Sequence, residues 1–347
     1  DRSISGGIGS LSATSGGTST TLTATTPGSG VITADHPTLI DDATGTISVN
    51  SGALASIRIV EGPSGDGAEF DTKTMTADET LTLHAAGYDA SGNYLGDQTV
   101  TWSSGGTLAP AASASGTSFT FSPTTAPATG TITATHATAG SDDTGTINVG
   151  VGLERYVSVL DGSSGLTSAV GNVSLTTGQT LTVHASSFDA DNNYVQDVSV
   201  DWILSSSIGS LSQATGITTT LTASTAGSGV LTGDHASLID DATGTITVNA
   251  GALSYVKIVE GPSGDGPELG ARAVTTDDVI NVHAAGYDDN DNYIGDQNVN
   301  WSVTGGVGTV NPAFGQSTTL TLDAPGAGQI VADHATATDD SSGVLTV

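Results

Sequence analysis

The chain has 347 residues, and its 36 acidic side chains outnumber its 6 lysines and arginines, giving a formal net charge of −30. So few cations cannot form the basic surface that nucleic acids or anionic membranes require, so we expect neither as a partner. The absence of cysteine excludes disulfides and cysteine-based metal sites. Divalent cations are the natural complement of such an acidic surface.

The first residues lack the pattern of a signal peptide, and no apolar run in the chain is long enough to span a membrane. A secretion signal of an exported protein would therefore lie outside this sequence. Short alternating apolar groups separated by glycine-rich turns run along the chain, as in TLTLHAA (80–86) and GTITATH (130–136). Because this period of two is typical of strands and no segment keeps a helical period, we predict an all-β protein.

Internal repeats divide the chain. Three tryptophans stand 100 and 99 residues apart, and the seven histidines fall on two positions that repeat with the same step. They predict complete units at 53–152, 153–251 and 252–347. Residues 1–52 match the second part of a unit from the end of its third strand, strand C, and we expect this half domain to be completed upstream or by another copy. The repeated residues are Trp102, Trp202 and Trp301, then His84, His184 and His283, and finally His36, His136, His235 and His334.

A longer period is superimposed on the first. GALASIRIVEGPSGDG (52–67) returns as GALSYVKIVEGPSGDG (251–266), whereas residues 152–165 are a divergent version. Likewise GSGVITADHPTLIDDATGTISVN (28–50) returns with few changes at 227–249. Units of two types therefore alternate, as expected for an extended array rather than for an enzyme.

Each unit has room for six or seven short strands, with a tryptophan on the third, as in a two-sheet sandwich. The stretch TADETLTLHAAGYDASGNYLGDQTVTWSSGG (76–106), followed by GTITATH and DDTGTINV (142–149), resembles the bacterial immunoglobulin-like domains of invasin-type surface proteins. The resemblance covers nearly the whole chain and implies tandem immunoglobulin-like β-sandwiches in an extended rod, where such domains mostly serve as spacers. The sequence departs from the family at the histidines of the first repeated position, where a small or hydroxylated residue is usual.

The loops between strands B and C, such as YDASGNYLGDQTVTW (88–102), begin like a calcium loop, with oxygen-bearing side chains at alternate positions. Val100 at the twelfth position excludes a helix-loop-helix calcium site, and a local turn explains the same residues. In an immunoglobulin-like sandwich the B–C and F–G loops lie at the pole that faces the preceding domain. The acidic A–B loops should lie at the opposite pole, with Glu61, Asp66 and Glu69 in one unit and Glu260, Asp265 and Glu268 in another. Because head-to-tail stacking brings these acidic poles together, we predict calcium between domains. The candidate ligands are Asp89, Asn93, Asp97, Asp142, Asp143, Asp189, Asp191, Asn193, Asp197, Asp240, Asp241, Asp288, Asn290, Asn292, Asp296, Asp339 and Asp340.

The histidines are the second candidate feature. Leu81 and Leu83 should face the core, which would direct His84 and its two equivalents outward. A histidine–aspartate site for a transition metal is one interpretation. We favour a surface imidazole that is bonded to a carboxylate or that contacts a neighbouring domain or chain. The predicted assembly contacts are His84, His136, His184, His235, His283 and His334.

Catalysis has little support, because the carboxylate pairs recur in every unit and no unit has an insertion that would form a cleft. We predict a non-enzymatic extracellular structural protein, part of a surface filament, sheath or stalk stiffened by calcium. Its partners would be other copies of itself or adjacent domains of a longer chain. Rows of threonine such as TSTTLTATT (18–26) leave an alternative, the shaft of a cell-surface adhesin with a glycan- or ice-binding role. Asn172 and Asn300 fit the N-glycosylation pattern.

Overall fold

The computed structural model describes residues 1–62, 67–261, 264 and 266–347, so Asp66 and Asp265 lie outside the described residues. All regular elements in the described part are strands, which confirms the all-β prediction. The described residues include no helix with the length and apolarity needed to cross a membrane. Contacts group the chain into two compact units, Asp1–Glu154 with Asp189–Val195, and Arg155–Phe188 with Gln196–Val347.

Residues 1–52, all of which are described, contain seven short strands. These are β1 (Arg2–Ile4), β2 (Gly9–Leu11), β3 (Leu22–Ala24), β4 (Gly28–Gly30), β5 (Ile32–Ala34), β6 (Asp42–Ala43) and β7 (Ile47–Val49).

The described part of the first complete domain contains eleven strands. These are β8 (Leu54–Glu61), β9 (Lys73–Thr76), β10 (Leu81–Asp89), β11 (Tyr94–Asp97), β12 (Val100–Ser104), β13 (Ser113–Gly116), β14 (Ser118–Phe121), β15 (Ala128–Gly130), β16 (Ile132–His136), β17 (Gly140–Asp143) and β18 (Ile147–Gly150).

The next two domains repeat this order with small variations. The second domain has β19 (Tyr156–Asp161), β20 (Val173–Thr176), β21 (Thr180–Phe188), β22 (Tyr194–Asp197), β23 (Val200–Leu204), β24 (Gly209–Leu211), β25 (Thr215–Gly216), β26 (Thr218–Ala223), β27 (Gly227–Gly229), β28 (Leu231–Asp234), β29 (Asp241–Ala242) and β30 (Ile246–Asn249). The third has β31 (Tyr255–Glu260), β32 (Arg272–Ala273), β33 (Val279–Tyr287), β34 (Tyr293–Asp296), β35 (Val299–Val303), β36 (Gly308–Asn311), β37 (Phe314–Gly315), β38 (Ser317–Leu322), β39 (Ala327–Gly328), β40 (Ile330–Asp333), β41 (Asp340–Ser341) and β42 (Leu345–Thr346).

The strands outnumber the six or seven expected per domain because single runs change sheets. In the first complete domain β8, β10 and β14 form one sheet, and β13, β12, β16 and β17 form the facing sheet. Strand β15 runs into β16, yet β15 pairs with β18, which also pairs in parallel with β9. The other two domains share this plan, which is that of tandem immunoglobulin-like β-sandwiches.

Each complete domain has its own apolar core, drawn from residues 57–149, 157–248 and 256–345 respectively. Inward and outward side chains alternate along strand C, which is β12 in the first complete domain. This alternation buries Trp102, which has no exposed surface. The indole N–H of Trp102 donates to the carbonyl of Gly116 at 3.2 Å, so the ring is buried without losing its hydrogen bond. Trp202 and Trp301 repeat this bond with Gly216 and Gly315.

The predicted start of the half domain is wrong by one strand. Strand β1 pairs with β5 so that Arg2 faces Ala34, as β23 pairs with β28 so that Trp202 faces Gly233. Residues 1–52 therefore retain a strand C, in which Arg2 takes the place of the core tryptophan. Sequence comparison missed this strand because the tryptophan that marks it is absent.

Candidate functional site at the domain joints

An aspartate and an asparagine four residues apart close the loop after strand B in every complete domain. The N–H groups of Ser91 and Asn93 donate to Oδ1 of Asp89 at 2.9 Å, and the Asp89 N–H donates to the Asn93 carbonyl. The third residue of the turn is left-handed, which glycine adopts freely and asparagine or aspartate tolerate. We call this pair the Asp–Asn clasp, and its copies are Asp89 with Asn93, Asp189 with Asn193, and Asp288 with Asn292, with left-handed Gly92, Asn192 and Asp291.

The second carboxylate oxygen binds the segment that links two domains. In the second compact unit, the Gly251 N–H donates to Oδ2 of Asp288 at 2.7 Å, and the side-chain amide of Asn292 donates to the same carboxylate. Gly52 and Gly152 make the equivalent bond to Asp89 and Asp189. Every such glycine precedes its aspartate by 37 residues.

Hydrogen bonds control the ionisation of these carboxylates. The side-chain amide of Asn93, followed by the backbone N–H groups of Asn93 and Gly52, lowers the pKa of Asp89 to about 2. Burial opposes ionisation of Asp288, which is 1% exposed, but bonds from Gly251, Thr177 and Asn292 outweigh it and hold its pKa below the usual value. The clasps therefore carry a buried negative charge that is satisfied by N–H and O–H donors.

The asparagine also bonds a loop between two strands of the preceding domain. Within the second unit, the Asn292 side-chain amide donates to the Ser224 carbonyl at 2.9 Å, and its Oδ1 accepts the Ala226 N–H at 2.7 Å. The Thr177 hydroxyl adds a bond to Asp288 at 2.7 Å. One carboxylate and one amide thus connect the linker glycine, the loop and two segments of the neighbouring sandwich.

The first compact unit contains the other two clasps. Asn193 donates to the Thr124 carbonyl at 3.3 Å and accepts the Ala126 N–H at 2.9 Å. Here Oδ2 of Asp78 also accepts the N–H of Leu153, the residue after the linker glycine. Asn93 donates to the Thr25 carbonyl at 2.8 Å, but the position equivalent to Ala126 is Pro27, which has no N–H to donate.

The last predicted ligand of each loop, an aspartate, lies apart from the clasp. Asp97 accepts the Tyr94 hydroxyl at 2.7 Å and pairs with Nδ1 of His84 at 2.9 Å. Asp296 makes the same two contacts with Tyr293 and His283. Asp197 instead accepts the Ser186 hydroxyl and the Gly165 N–H, while Asp191 and Asn290 contribute backbone N–H groups to their turns.

The acids of the F–G loops are also bonded within their own domains. Asp240 and Asp339 accept the N–H of His235 and His334, the residues that open these loops. The following acid binds the first strand of the sandwich, so that Asp142, Asp241 and Asp340 accept the N–H of Ile59, Val159 and Ile258. Burial raises the pKa of Asp142 and Asp340.

The pair Asp142–Asp143 is not equivalent to Asp240–Asp241, although the sequence pairs them. Asp142 accepts a backbone N–H of the first strand, as Asp241 does in the second domain. Ser141 therefore occupies the position equivalent to Asp240. Asp143 accepts the Thr133 hydroxyl instead. The two adjacent acids of the first complete domain are therefore shifted by one residue relative to those of the second.

Calcium at the joints stays a prediction. Within the described ranges, no three histidine, aspartate or glutamate side chains converge on a point where they could hold a metal ion. A cation at a clasp would have to replace N–H donors that already occupy both carboxylate oxygens. Two of the predicted A–B loop acids, Asp66 and Asp265, lie outside the described residues.

His184 lies on the outer side of its strand as predicted, but it is buried there and therefore offers no assembly contact. It has no exposed surface, and its ring nitrogens bond the carbonyls of Gly162 and Gly165 at 3.2 and 2.7 Å. The loop 162–165 covers the outer side of strand β21 at this point, which the alternation of the strand cannot reveal. His84 and His283 are partly buried beside their aspartates.

The other histidines stabilise the F–G turn that they open. Nδ1 of His334 accepts the N–H groups of Thr336 and Ala337 at 3.2 and 3.0 Å. Since Nδ1 is an acceptor, the proton of the neutral ring lies on Nε2. His36, His136 and His235 repeat the arrangement.

Sequence reasoning found Asp89 and Asn93 but missed their partners. The linker glycines and the backbone of Thr25, Ser224 and Ala226 contribute through N–H and C=O groups, which every residue has. The one sequence feature that could have indicated the glycine partner is the constant spacing of 37 residues between each linker glycine and its aspartate.

Comparisons with known proteins give no identification. The sequence matches no family model and no curated protein. Among solved structures, the chain is similar to the Escherichia coli adhesin FdeC (17% identity, 86% of this chain and 99% of that one, TM-score 0.32). It is also similar to the I9–I11 tandem of titin (11% identity, 84% of this chain and 98% of that one, TM-score 0.24). A third similar structure is that of domains 4–9 of surface layer protein SbsC (16% identity, 85% of this chain and 48% of that one, TM-score 0.21). Similarity at this level carries no functional argument, and the fold assignment rests on the sheets described above.

Proposed function

We propose that the chain is a segment of a non-enzymatic extracellular structural protein, a surface filament, sheath or stalk, in which the domains transmit force. The supporting observation is the clasp, which at three successive joints bonds the linker glycine and a loop carbonyl of the preceding domain. A molecule under tension needs each joint to resist bending, and repeated short hydrogen-bond networks in buried positions provide that resistance.

The acidic surface agrees with this role. A net charge of −30 keeps neighbouring copies apart unless cations screen it. The threonine rows that suggested glycan or ice binding bond to one another across strands, as between Thr82 and Thr120 and between Thr182 and Thr220. This pairing favours a sheet-stabilising role over the adhesin alternative.

Electron microscopy of the purified native protein tests the proposal. We expect filaments, sheets or stalks with a spacing that matches one or two domains. Compact single particles without such a periodic assembly would contradict it.

Calcium as the stiffening ion belongs to the same proposal and needs its own test. Thermal unfolding would be measured in EDTA, in calcium and in magnesium at equal ionic strength. If calcium bridges the joints, calcium alone raises the melting temperature and EDTA lowers it. Equal melting temperatures in all three would leave the clasps as hydrogen-bonded joints without a metal.

A further inference from the structure

One of the two N-glycosylation motifs lies in an exposed, extended segment of the second domain. Val173 packs against the apolar core, whereas Asn172 and Ser174 are exposed. The segment runs into β20, which lies at the edge of its sheet and pairs with β30 alone among the described strands. Because side chains two residues apart in an extended chain share a face, the acceptor amide and the hydroxyl both point outward.

The hydrogen bonds of Asn172 leave its amide nitrogen for a covalent linkage. Its Oδ1 accepts the N–H of Thr245 at 2.9 Å, and the N–H of Val173 donates to the Thr245 carbonyl at 3.0 Å. An N-glycosidic bond replaces one hydrogen of Nδ2 and keeps Oδ1 as an acceptor. The clasp asparagines differ, because Asn193 and Asn292 use Nδ2 as a donor. A sugar on Asn172 therefore breaks neither of these native bonds.

A surface groove lies beside this amide. It has a volume of about 420 Å³ and is lined by Asn172, Val173, Ser174, Thr245 and Thr247. A groove of this size is within the range of pockets that hold small ligands. Its serine and threonine hydroxyls both donate and accept hydrogen bonds, as the hydroxyls of a sugar require. The first sugar of an attached chain would therefore find hydrogen-bonding partners next to its anchor.

The second domain lacks the charge that its two neighbours carry on the same edge strand. Lys73 on β9 and Arg272 on β32 hold the pairing position that Val173 holds on β20. Charged side chains on an edge strand hinder its pairing with strands of other chains. A bulky, solvated saccharide on the residue before Val173 would give the edge of the second domain equivalent protection.

The second motif, at Asn300, has a different setting. Its strand β35 lies inside its sheet, so Asn300 pairs with Phe314 on one side and with Asp333 on the other. The middle residue of the motif, Trp301, is 3% exposed. A transferase that binds an extended acceptor segment therefore cannot reach this motif in the folded domain without opening the sheet.

We propose that Asn172 is a glycan attachment site and that Asn300 stays unmodified. The donor is a saccharide linked through phosphate to a lipid. Nδ2 of Asn172 forms a bond to the anomeric carbon while the bond from that carbon to the phosphate oxygen breaks. The phosphate leaves with the electron pair, and Nδ2 loses one proton to a base of the transferase. The inference rests on the proposed extracellular function, since this motif is used on secreted chains.

Mass spectrometry of the native protein, isolated from its own cells and cut with a protease, tests the proposal without any variant. We expect the peptide that contains Asn172 to be heavier than its sequence mass by the mass of a saccharide chain, and fragmentation to place the addition on Asn172. The peptide that contains Asn300 should have its sequence mass. Unmodified Asn172, or sugar on Asn300, would overturn the proposal.

A matched pair of variants made in the same cells tests the motif itself. Ser174→Ala removes the hydroxyl that the motif requires and should abolish the mass addition at Asn172 completely. Ser174→Thr keeps a hydroxyl at this exposed position and should keep the addition. Any result in which both variants are modified, or neither is, would contradict attachment through this motif.

The source of the sample separates this inference from the proposed function. Protein recovered from the cell surface or the medium without sugar on Asn172 contradicts the inference alone. Protein recovered only from the cell interior contradicts the proposed function and the inference with it.

Discussion

The clasps at Asn93 and Asn292 join domains of the same two types in the same order, yet they differ in their hydrogen bonds. Asn292 both donates to Ser224 and accepts from Ala226. Asn93 donates to Thr25, but Pro27 removes the N–H that would bond its Oδ1. Loops with the same Asp–Asn clasp therefore make joints of different strength, because the preceding domain supplies the backbone partners. The joint at Asn292 should accordingly be the stiffer of the two, because its asparagine makes one more hydrogen bond to the preceding domain.

The largest effect should come from Asp288→Ala. The substitution leaves the buried N–H groups of Gly251 and Asn292 without their acceptor, so the unfolding free energy of the transition that includes residues 252–347 should fall by about 4 kcal/mol. Denaturant titration followed by tryptophan fluorescence measures it. Asp289→Ala changes the exposed neighbour and should leave the unfolding free energy unchanged. An equal decrease of the unfolding free energy in the two variants would contradict the role of the clasp.

A smaller and unequal effect is expected from truncating the two asparagines. Asn292→Ala removes two bonds to the preceding domain and should cost about 2 kcal/mol, whereas Asn93→Ala removes one and should cost about 1 kcal/mol. Hydrogen exchange of the Gly251 and Gly52 amides reports opening of each joint separately. If the two amides gain exchange rate by the same factor, the comparison between the joints fails.

The smallest effect should come from Pro27→Ala, which gives the first joint the donor that the third joint has. The new N–H at position 27 should bond Oδ1 of Asn93 and exchange about threefold more slowly than a free amide, which corresponds to about 0.6 kcal/mol. The double variant Pro27→Ala with Asn93→Ala is the control, since it keeps the amide and removes its acceptor. Rapid exchange in the single variant would show that proline is not what weakens this joint.

The strand pattern was predictable because it depends on local alternation and recurrence. Leu81, Leu83 and Trp102 are buried as the period of two requires. The same period places His184 on the outer side of its strand, yet His184 is buried, because a loop from elsewhere in the domain covers that side. A rule about one strand contains no information on what packs against its other face.

The sequence by itself determined the all-β class, the repeat of 99 to 100 residues, the buried tryptophans and the turn that begins at each Asp89 equivalent. These follow from side-chain period and from the turn preferences of aspartate, asparagine and glycine. Tertiary structure alone decided the partners of the carboxylates. Asp89 and Asn93 bond the linker and the neighbouring domain, Asp97 bonds a histidine, and Asp142 bonds the first strand. Their partners are mostly backbone groups brought near by folding. Because every residue except proline has a backbone N–H group, the amino-acid sequence does not show which of them will be the donor.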